Sequence, residues 1–338
     1  MATIIDVARE AGVSKSTVSR VLNRTGPVKA ETKAAIDAAM KKLEYSPSYF
    51  AQGIRTGRTH TIAMLVPEYS NIFYSEMFQG AEDVALKNGY MVLVCNTERS
   101  STSELEYTRA LIRRRVDGII YNTYENNPKM VEFLKDISRN IPVVFMNRVF
   151  SDPKDFSYVC TDGFNSTRKA VQYLYQRGKR KIGYIRNVKQ IDVVNERYEG
   201  YLMGLKECGL PYNEKWIHQE ECRNHTSDYI KLGCMAGSYF AGLDDRPDAV
   251  LASVDLIALG CVKQLKECQV QVPRDINVVG FDNLFLDEIY EPALTTIGQP
   301  IRELGRHAAQ IIISKINGNP VNSQVLFDGK LILRGTTD

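Results

Sequence analysis

The stretch Thr3–Asn23 reads TIIDVAREAGVSKSTVSRVLN, and its pattern predicts two short helices joined by a tight turn. Thr3 can cap the first helix, and Asp6 stands three residues later, where an acidic side chain completes a weak capping box. Gly12 stands where the first helix must stop, because glycine adopts a left-handed backbone conformation without a steric penalty. Ser14 is placed to cap the second helix. Apolar residues repeat at helical spacing on one face of each helix, namely Ile4, Val7, Ala8 and Ala11, then Val18, Val21 and Leu22.

The opposite face of the second helix is polar and basic. Cations and hydroxyls of this kind bond phosphates and base edges when a helix enters the DNA major groove. The turn glycine, the small Ala8 and the serine cap stand at helix-turn-helix spacing. We therefore predict DNA binding over the alternative, a small helical pair with a solvated basic face. We expect bases to be read by Lys15, Ser16 and Arg20, and phosphates to be held by Thr3, Ser14, Thr17, Ser19 and Asn23.

The string DVA..AGVS..TVSRVLN within this stretch is a highly specific signature. It resembles the N-terminus of the lactose/galactose repressor family of bacterial transcription regulators. The resemblance implies a homodimeric repressor that binds a near-palindromic double-stranded operator. It also implies that a small-molecule effector, a sugar or sugar derivative, controls operator affinity allosterically.

The charge of the chain is concentrated at its start. Residues 1–60 contain ten Lys and Arg and five Asp and Glu, whereas the net charge of all 338 residues is only +3. A basic N-terminal segment followed by a slightly acidic remainder is typical of a small nucleic-acid-binding domain joined to a domain with another function. The chain has no apolar run long enough to span a membrane and no signal-peptide pattern, so we expect a cytoplasmic protein. Seven cysteines without a CxxC pair favour free thiols over a metal site.

A third helix is expected from about Glu31 to Glu44, with Lys29 where family members often carry a capping serine. We assign residues 1–45 to the DNA-binding domain and 46–58 to a linker, which Pro47 separates from the third helix. In the resembling family this segment forms a hinge helix on the operator, and a leucine wedges into the minor groove. Ile54 occupies that position here. A plain flexible tether is the alternative.

Residues 59–338 alternate between apolar strands and amphipathic helices, which predicts parallel strands with right-handed crossovers. The strings RRRVDGII, PVVFMNR, RDINVVGFDN and LTTIGQP extend the resemblance over essentially the whole chain. The predicted fold class is α/β: an all-α helix-turn-helix domain, then a two-subdomain doubly wound effector and dimerisation domain of the periplasmic-binding-protein type. We expect one subdomain at about 59–160 and 293–320, and the other at about 161–292 and 321–338.

Ligands of open α/β sheets bind beyond the carboxyl ends of the strands, so two such sheets can enclose a cleft. The loops expected there carry carboxylates, amides, an arginine and aromatic faces, which suit a polyhydroxylated ligand. The resemblance assigns ligand hydroxyls to Asp282 and Arg197, although a structural ion pair is the alternative for these two. Val254 departs from the polar residue that many members have. The candidate effector residues are Ser70, Phe73, Asn147, Arg197, Asp255 and Asp282.

Two other classes of protein remain as alternatives. A solute-binding protein without DNA activity should carry an export signal and no basic helical head. A sugar- or nucleoside-metabolising enzyme would need catalytic groups, and Asp255 with Asp282 is the one carboxylate pair worth suspecting. The sequence has no G-x-G-x-x-G, P-loop, G-x-S-x-G or H-E-x-x-H motif. We therefore expect no enzyme, no cofactor and no metal, and a dimer because the chain stops directly after its last strand.

Overall fold

The computed structural model describes residues 2–23, 26–45, 58–122, 128–147, 156–188, 192–221 and 226–337. The chain divides into two compact units, residues 1–60 and 61–338. Each unit has its own apolar core: a small one among the N-terminal helices, and larger ones on the faces of two sheets.

The described part of the first unit contains the helices α1 (Ile4–Glu10), α2 (Lys15–Asn23) and α3 (Ala30–Lys42). Thr3 and Asp6 form the predicted capping box, in which the Asp6 N–H donates to Thr3 Oγ1 at 3.4 Å and the Thr3 N–H to Asp6 Oδ2 at 2.9 Å. Gly12 has φ +65°, and the following Val13 N–H donates to the Ala8 carbonyl at 3.0 Å, which closes α1 as expected.

The core of this unit is formed by Val7, Ala8, Val18, Ile36 and Ala39, so α3 covers the first two helices. Lys29, which stands where family members often carry a capping serine, precedes α3 without any side-chain cap. The predicted linker lies outside the described residues except for its last residue, and Ile54 is among the residues not described.

The second unit alternates strands and helices. Its described strands are β1 (Thr61–Val66), β2 (Met91–Asn96), β3 (Gly118–Tyr121), β4 (Val143–Phe145), β5 (Ser157–Thr161), β6 (Ile182–Asn187), β7 (Ile217–Glu220), β8 (Ala249–Ala252), β9 (Asn277–Asp282), β10 (Thr295–Gly298), β11 (Gln324–Phe327) and β12 (Lys330–Ile332). Its described helices are α4 (Ile72–Lys87), α5 (Ser101–Arg113), α6 (Pro128–Ser138), α7 (Gly163–Gln176), α8 (Asp192–Glu207), α9 (Thr226–Ala241), α10 (Asp255–Glu267), α11 (Leu286–Ile289) and α12 (Ile301–Ile316).

The strands form two six-stranded sheets, which define a first and a second half of this unit. The first sheet has the order β11-β5-β4-β3-β1-β2 and is parallel throughout. The second has the order β12-β10-β9-β8-β6-β7 and is parallel except for β12, which runs antiparallel to β10. The predicted doubly wound architecture is confirmed.

The boundary between the halves differs from the predicted one near the C-terminus. The strand β10, expected in the subdomain at 59–160 and 293–320, pairs with β9 in the second sheet. The strand β11, expected in the subdomain at 161–292 and 321–338, pairs with β5 in the first sheet. Both strands have four residues, and so short a pattern does not identify the strand beside it. The chain therefore passes between the halves three times, after β5, β10 and β11.

The helices α4 and α12 pack closely on each other because glycines stand where they cross. A Cβ atom on Gly305 would overlap the Met77 carbonyl oxygen, and one on Gly80 would overlap the Arg302 carbonyl oxygen. Among the described helices, none has the length and apolar character that crossing a bilayer requires.

We expect Gly305→Ala to lower the free energy of unfolding by about 1–3 kcal/mol, because the added methyl group forces α12 away from α4. Urea denaturation followed by circular dichroism measures this loss. Gly242→Ala is the matched control, since its Cβ would lie at an ordinary contact distance, 3.6 Å, from the Ser238 carbonyl oxygen. A Gly305→Ala protein as stable as the wild type would contradict the close helix crossing.

Candidate functional site

The exposed face of α2 carries the side chains predicted to read bases. Lys15, Ser16 and Arg20 are exposed, whereas Val18 on the opposite face is fully buried. A hydroxyl cluster lies at the start of the helix, where Ser14 Oγ accepts from the Thr17 N–H at 3.1 Å. The Ser14 hydroxyl also bonds those of Ser16, at 2.7 Å, and Thr17, at 2.8 Å. Hydroxyls beside the positive end of a helix suit a phosphate.

The remaining predicted DNA contacts have different surroundings. Thr3 is exposed, and its hydroxyl donates to Asp6 Oδ2 at 2.7 Å. Ser19 is half-buried between the basic face and the core of the unit. Asn23 is the last residue of α2, and its side chain lies outside the described part of the structure, as does Ile54.

In the second unit, Asp282 lies at the carboxyl end of β9, where the backbone makes an unusual turn. Asp282 has φ +143° and Asn283 has φ +66°, a conformation that costs free energy in residues with a side chain. The Asp255 carboxylate holds the turn by accepting the N–H groups of Asn283, at 2.6 Å, and Leu284, at 3.1 Å. It also accepts the Thr296 hydroxyl at 2.6 Å.

Asp255 does not line the cleft, contrary to the expectation from its loop. Its side chain is fully buried at the start of α10. Its carboxylate accepts hydrogen bonds from two backbone N–H groups and from Thr296, and these bonds fix the turn that positions Asp282.

Arg197 reaches the site from α8 and lies beside Asp282. One terminal nitrogen donates to the Ser253 carbonyl, and the other is 3.8 Å from Asp282 Oδ1. The guanidinium carbon lies 3.6 Å from the centre of the Phe281 ring. Gln299 Nε2 donates to Asp282 Oδ1 at 2.7 Å. Arg197 and Asp282 therefore lie side by side in the wall of the cleft, and their contact with a ligand stays a prediction.

A cleft that opens to solvent lies between the two halves, and both halves contribute residues to its walls. Phe73, Asn147, Arg197 and Asp282 are brought together in its walls, as predicted. Ser70 is not among the lining residues: it is exposed, and its hydroxyl donates to Glu68 Oε1 at 2.8 Å. Val254 lines the cleft with an apolar side chain at the position where the resemblance implies a polar one.

Several lining residues were missed by the sequence analysis. Arg99, Asn122 and Gln299 each follow the carboxyl end of a strand, so the same topological rule could have found them. Tyr74 and Tyr229 lie inside helices, where nothing in the sequence distinguishes them from core residues.

Burial controls the protonation of the carboxyl groups around Asp282. Desolvation raises the pKa of Asp282 to about 8, although the Arg197 cation opposes the shift and Asp255 adds to it. Burial also raises the pKa values of the neighbouring carboxyl groups Asp255 and Asp287. A protonated Asp282 can donate a hydrogen bond to a ligand, whereas the ionised form only accepts.

We expect the stability of the wild type to fall relative to Asp282→Asn as the pH rises from about 4 to about 8. In this interval the unfolded chain has lost the Asp282 proton while the folded chain keeps it, so folding is favoured less as protons become scarce. One such group changes the free energy of unfolding by at most about 1.4 kcal/mol per pH unit. Denaturant titrations across this range measure the difference, with the exposed Asp244→Asn as control. A constant difference between wild type and Asp282→Asn would contradict the assignment.

Comparison with known proteins supports the same organisation. Residues 3–48 match the model of bacterial regulatory proteins of the lacI family, and residues 171–337 match a periplasmic binding protein-like domain. The HTH-type transcriptional repressor PurR of Pectobacterium carotovorum subsp. carotovorum (strain PC1) is 34% identical over 328 residues. The match covers 96% of this chain and 94% of that protein.

Two solved structures extend the comparison to the fold. The lac repressor dimer bound to operator and the anti-inducer ONPF has a TM-score of 0.86 at 26% identity, with 99% of each chain covered. The complex of the transcriptional regulator CelR with cellobiose has a TM-score of 0.72 at 26% identity, covering 99% of this chain and 100% of that one. These similarities do not favour a solute-binding protein or an enzyme. The chain belongs to the lacI family of bacterial regulatory proteins, as its N-terminal signature predicted.

Proposed function

We propose that this protein is a homodimeric transcriptional repressor whose affinity for a near-palindromic operator depends on a carbohydrate-like effector bound in the cleft. The family is one of DNA-binding regulators, and this much applies to the chain directly. The observation that carries the rest is the pairing of an exposed basic face on α2 with a polar cleft between two α/β halves. We place this activity in the cytoplasm, where bacterial DNA lies.

Base reading is assigned to Lys15, Ser16 and Arg20, whose side chains are exposed on one face of α2. Lysine and arginine bond guanine edges in the major groove, and serine can bond any base. The hydroxyl cluster at the start of α2 supports phosphate contacts by Ser14 and Thr17. We extend this role to Thr3, Ser19 and Asn23, and assign the minor-groove wedge to Ile54.

The effector is assigned to the cleft through Phe73, Asn147, Arg197 and Asp282. A sugar presents hydroxyls that both donate and accept, and an aspartate, an arginine and an amide offer complementary partners. Phe73 supplies a flat apolar surface for the C–H face of a sugar ring. CelR, which has a similar fold, is known in complex with cellobiose. The apolar Val254 favours an effector with fewer hydroxyls at that end of the cleft.

The homodimer is assigned to the outer edge of the first sheet. β2 pairs with β1 alone among the described strands, so its other edge is open. Met91 and Leu93 point to one side of this strand and are 68% and 42% exposed, and Leu86 on α4 is 60% exposed. A second copy would cover these apolar side chains, and the lac repressor of similar fold is a dimer.

We expect Arg20→Ala to weaken binding to an inverted-repeat duplex about 10- to 100-fold, the loss of about 1–3 kcal/mol that one base contact supplies. Binding to random duplex should change far less. The duplex is obtained by selection from a random pool, and affinities are measured by fluorescence anisotropy at fixed salt. Lys33→Ala removes an exposed charge from α3 and is the control. Equal losses on both duplexes would contradict base reading by Arg20.

We expect Leu93→Glu to raise the dimer dissociation constant at least tenfold, because it places a charge on the apolar edge of the first sheet. A tenfold change corresponds to about 1.4 kcal/mol. Sedimentation velocity over a concentration series measures the constant. Leu333→Glu changes a residue of similar exposure in the second half and is the control. Dissociation by both variants, or by neither, would argue against this interface.

A further inference from the structure

Two contacts cross the cleft without involving Asp282 or Arg197. The first starts at Glu68, just after β1 in the first half. Its Oε1 atom accepts the Ser70 hydroxyl at 2.8 Å and the N–H of Thr226 at 3.0 Å. Thr226 is the first residue of α9, which packs on α10 in the second half. A carboxylate from one half therefore caps a helix of the other, where the helix end favours negative charge.

The second contact joins Arg99 of the first half to Tyr229 of the second. Arg99 donates from one terminal nitrogen to the Tyr229 hydroxyl, and its guanidinium carbon lies 5.1 Å from the centre of the Tyr229 ring. The two residues are only 9% and 2% exposed. Because Thr226 and Tyr229 are three residues apart on α9, they lie on the same face of its first turn. Both contacts therefore act on one helix end.

The backbone that presents Arg99 is held in a costly conformation. Glu98 and Arg99 have φ +52° and φ +54°, although neither is glycine. Thr97 anchors the segment on one side through its N–H, which donates to the Val66 carbonyl at 2.8 Å. Ser100 anchors it on the other side by capping α5. Strained backbone that is fixed from both sides is typical of functional segments.

We propose that Glu68, Arg99, Thr226 and Tyr229 form a cross-cleft latch that sets how readily the two halves close. The four residues are positioning residues, because the latch joins atoms of the chain itself. Its two contacts hold the halves together. Arg99 and Tyr229 also line the cleft, so an effector that contacts them changes the latch directly. This inference rests on the proposed function in one respect: in that function, closure of the two halves carries the effector signal to the DNA-binding domains.

A latch and a merely local capping role of Glu68 predict different results for a substitution at Tyr229. Tyr229→Phe removes the hydroxyl that Arg99 contacts but leaves the Thr226 N–H and Glu68 untouched. If the two contacts act as one latch, the halves separate more often in this variant, and the Thr226 amide exchanges with solvent about tenfold faster. Glu68→Gln weakens the other contact and should have the same effect. If Glu68 merely caps α9, only Glu68→Gln will raise the exchange rate of the Thr226 amide.

The experiment measures hydrogen–deuterium exchange at single-amide resolution in the full chain, without DNA or effector. Tyr239→Phe on the same helix and Glu106→Gln on α5 are the matched controls, and both should exchange like the wild type at Thr226. The amide of Phe240, near the end of α9, reports whether the helix itself stays intact. Faster exchange at Thr226 in Tyr229→Phe, with Phe240 unchanged, supports the latch.

Two results would overturn the latch. One is exchange at Thr226 within twofold of the wild type in Tyr229→Phe, whatever Glu68→Gln does. The other is faster exchange along the whole of α9, which would mean that the variant loosens the helix. The proposed function is tested separately by the binding of wild-type protein to an inverted-repeat duplex. Failure there would leave the exchange result standing, so the two failures are distinguishable.

Discussion

The cleft depends on a carboxylate that does not reach it. Asp255 is fully buried and accepts hydrogen bonds from two backbone amides and a threonine hydroxyl, which together hold the turn after β9. Each hydrogen bond to a charged group contributes about 1.5–3 kcal/mol. This is enough to maintain positive φ angles at Asp282 and Asn283. Gly280 lies against the same carboxylate, where a Cβ would overlap it. Asp282 is thereby held beside Arg197 before any ligand arrives, so little ordering is needed on binding.

The topology of the second unit explains how such a cleft can transmit a signal. The chain passes between the halves three times through short connections, and each sheet keeps its own set of strands. Closure of domains around a ligand uses hinges of this kind. The contacts from Glu68 to Thr226 and from Arg99 to Tyr229 join the two halves directly. Asp282 and Arg197, in contrast, both belong to the second half. The proposed effector contacts and the proposed latch therefore share one cleft.

The sequence was informative where a local rule determines the outcome and uninformative where a tertiary contact does. Thr3, Gly12 and Ser14 act through neighbours three to five positions away, and the structure places them as predicted. Asp255 and Ser70 each follow a strand at the correct end of the sheets, but their side chains bond within the protein, which position after a strand does not reveal. Tyr229 enters the cleft through the packing of α9, and β11 joins the first sheet through pairing with β5. Neither fact has a local signature.

In the proposed function, occupation of the cleft changes operator affinity. The most direct test is a thermodynamic cycle on the full chain, with a sugar chosen because it raises the melting temperature of the wild type but not of Asp282→Asn. The affinity for a selected inverted-repeat duplex is measured with and without saturating sugar, and sugar affinity with and without duplex. We expect both ratios to be equal and to lie between about 5 and 150, a coupling of about 1–3 kcal/mol. Duplex affinity that is unchanged by a sugar bound in the cleft would contradict the account.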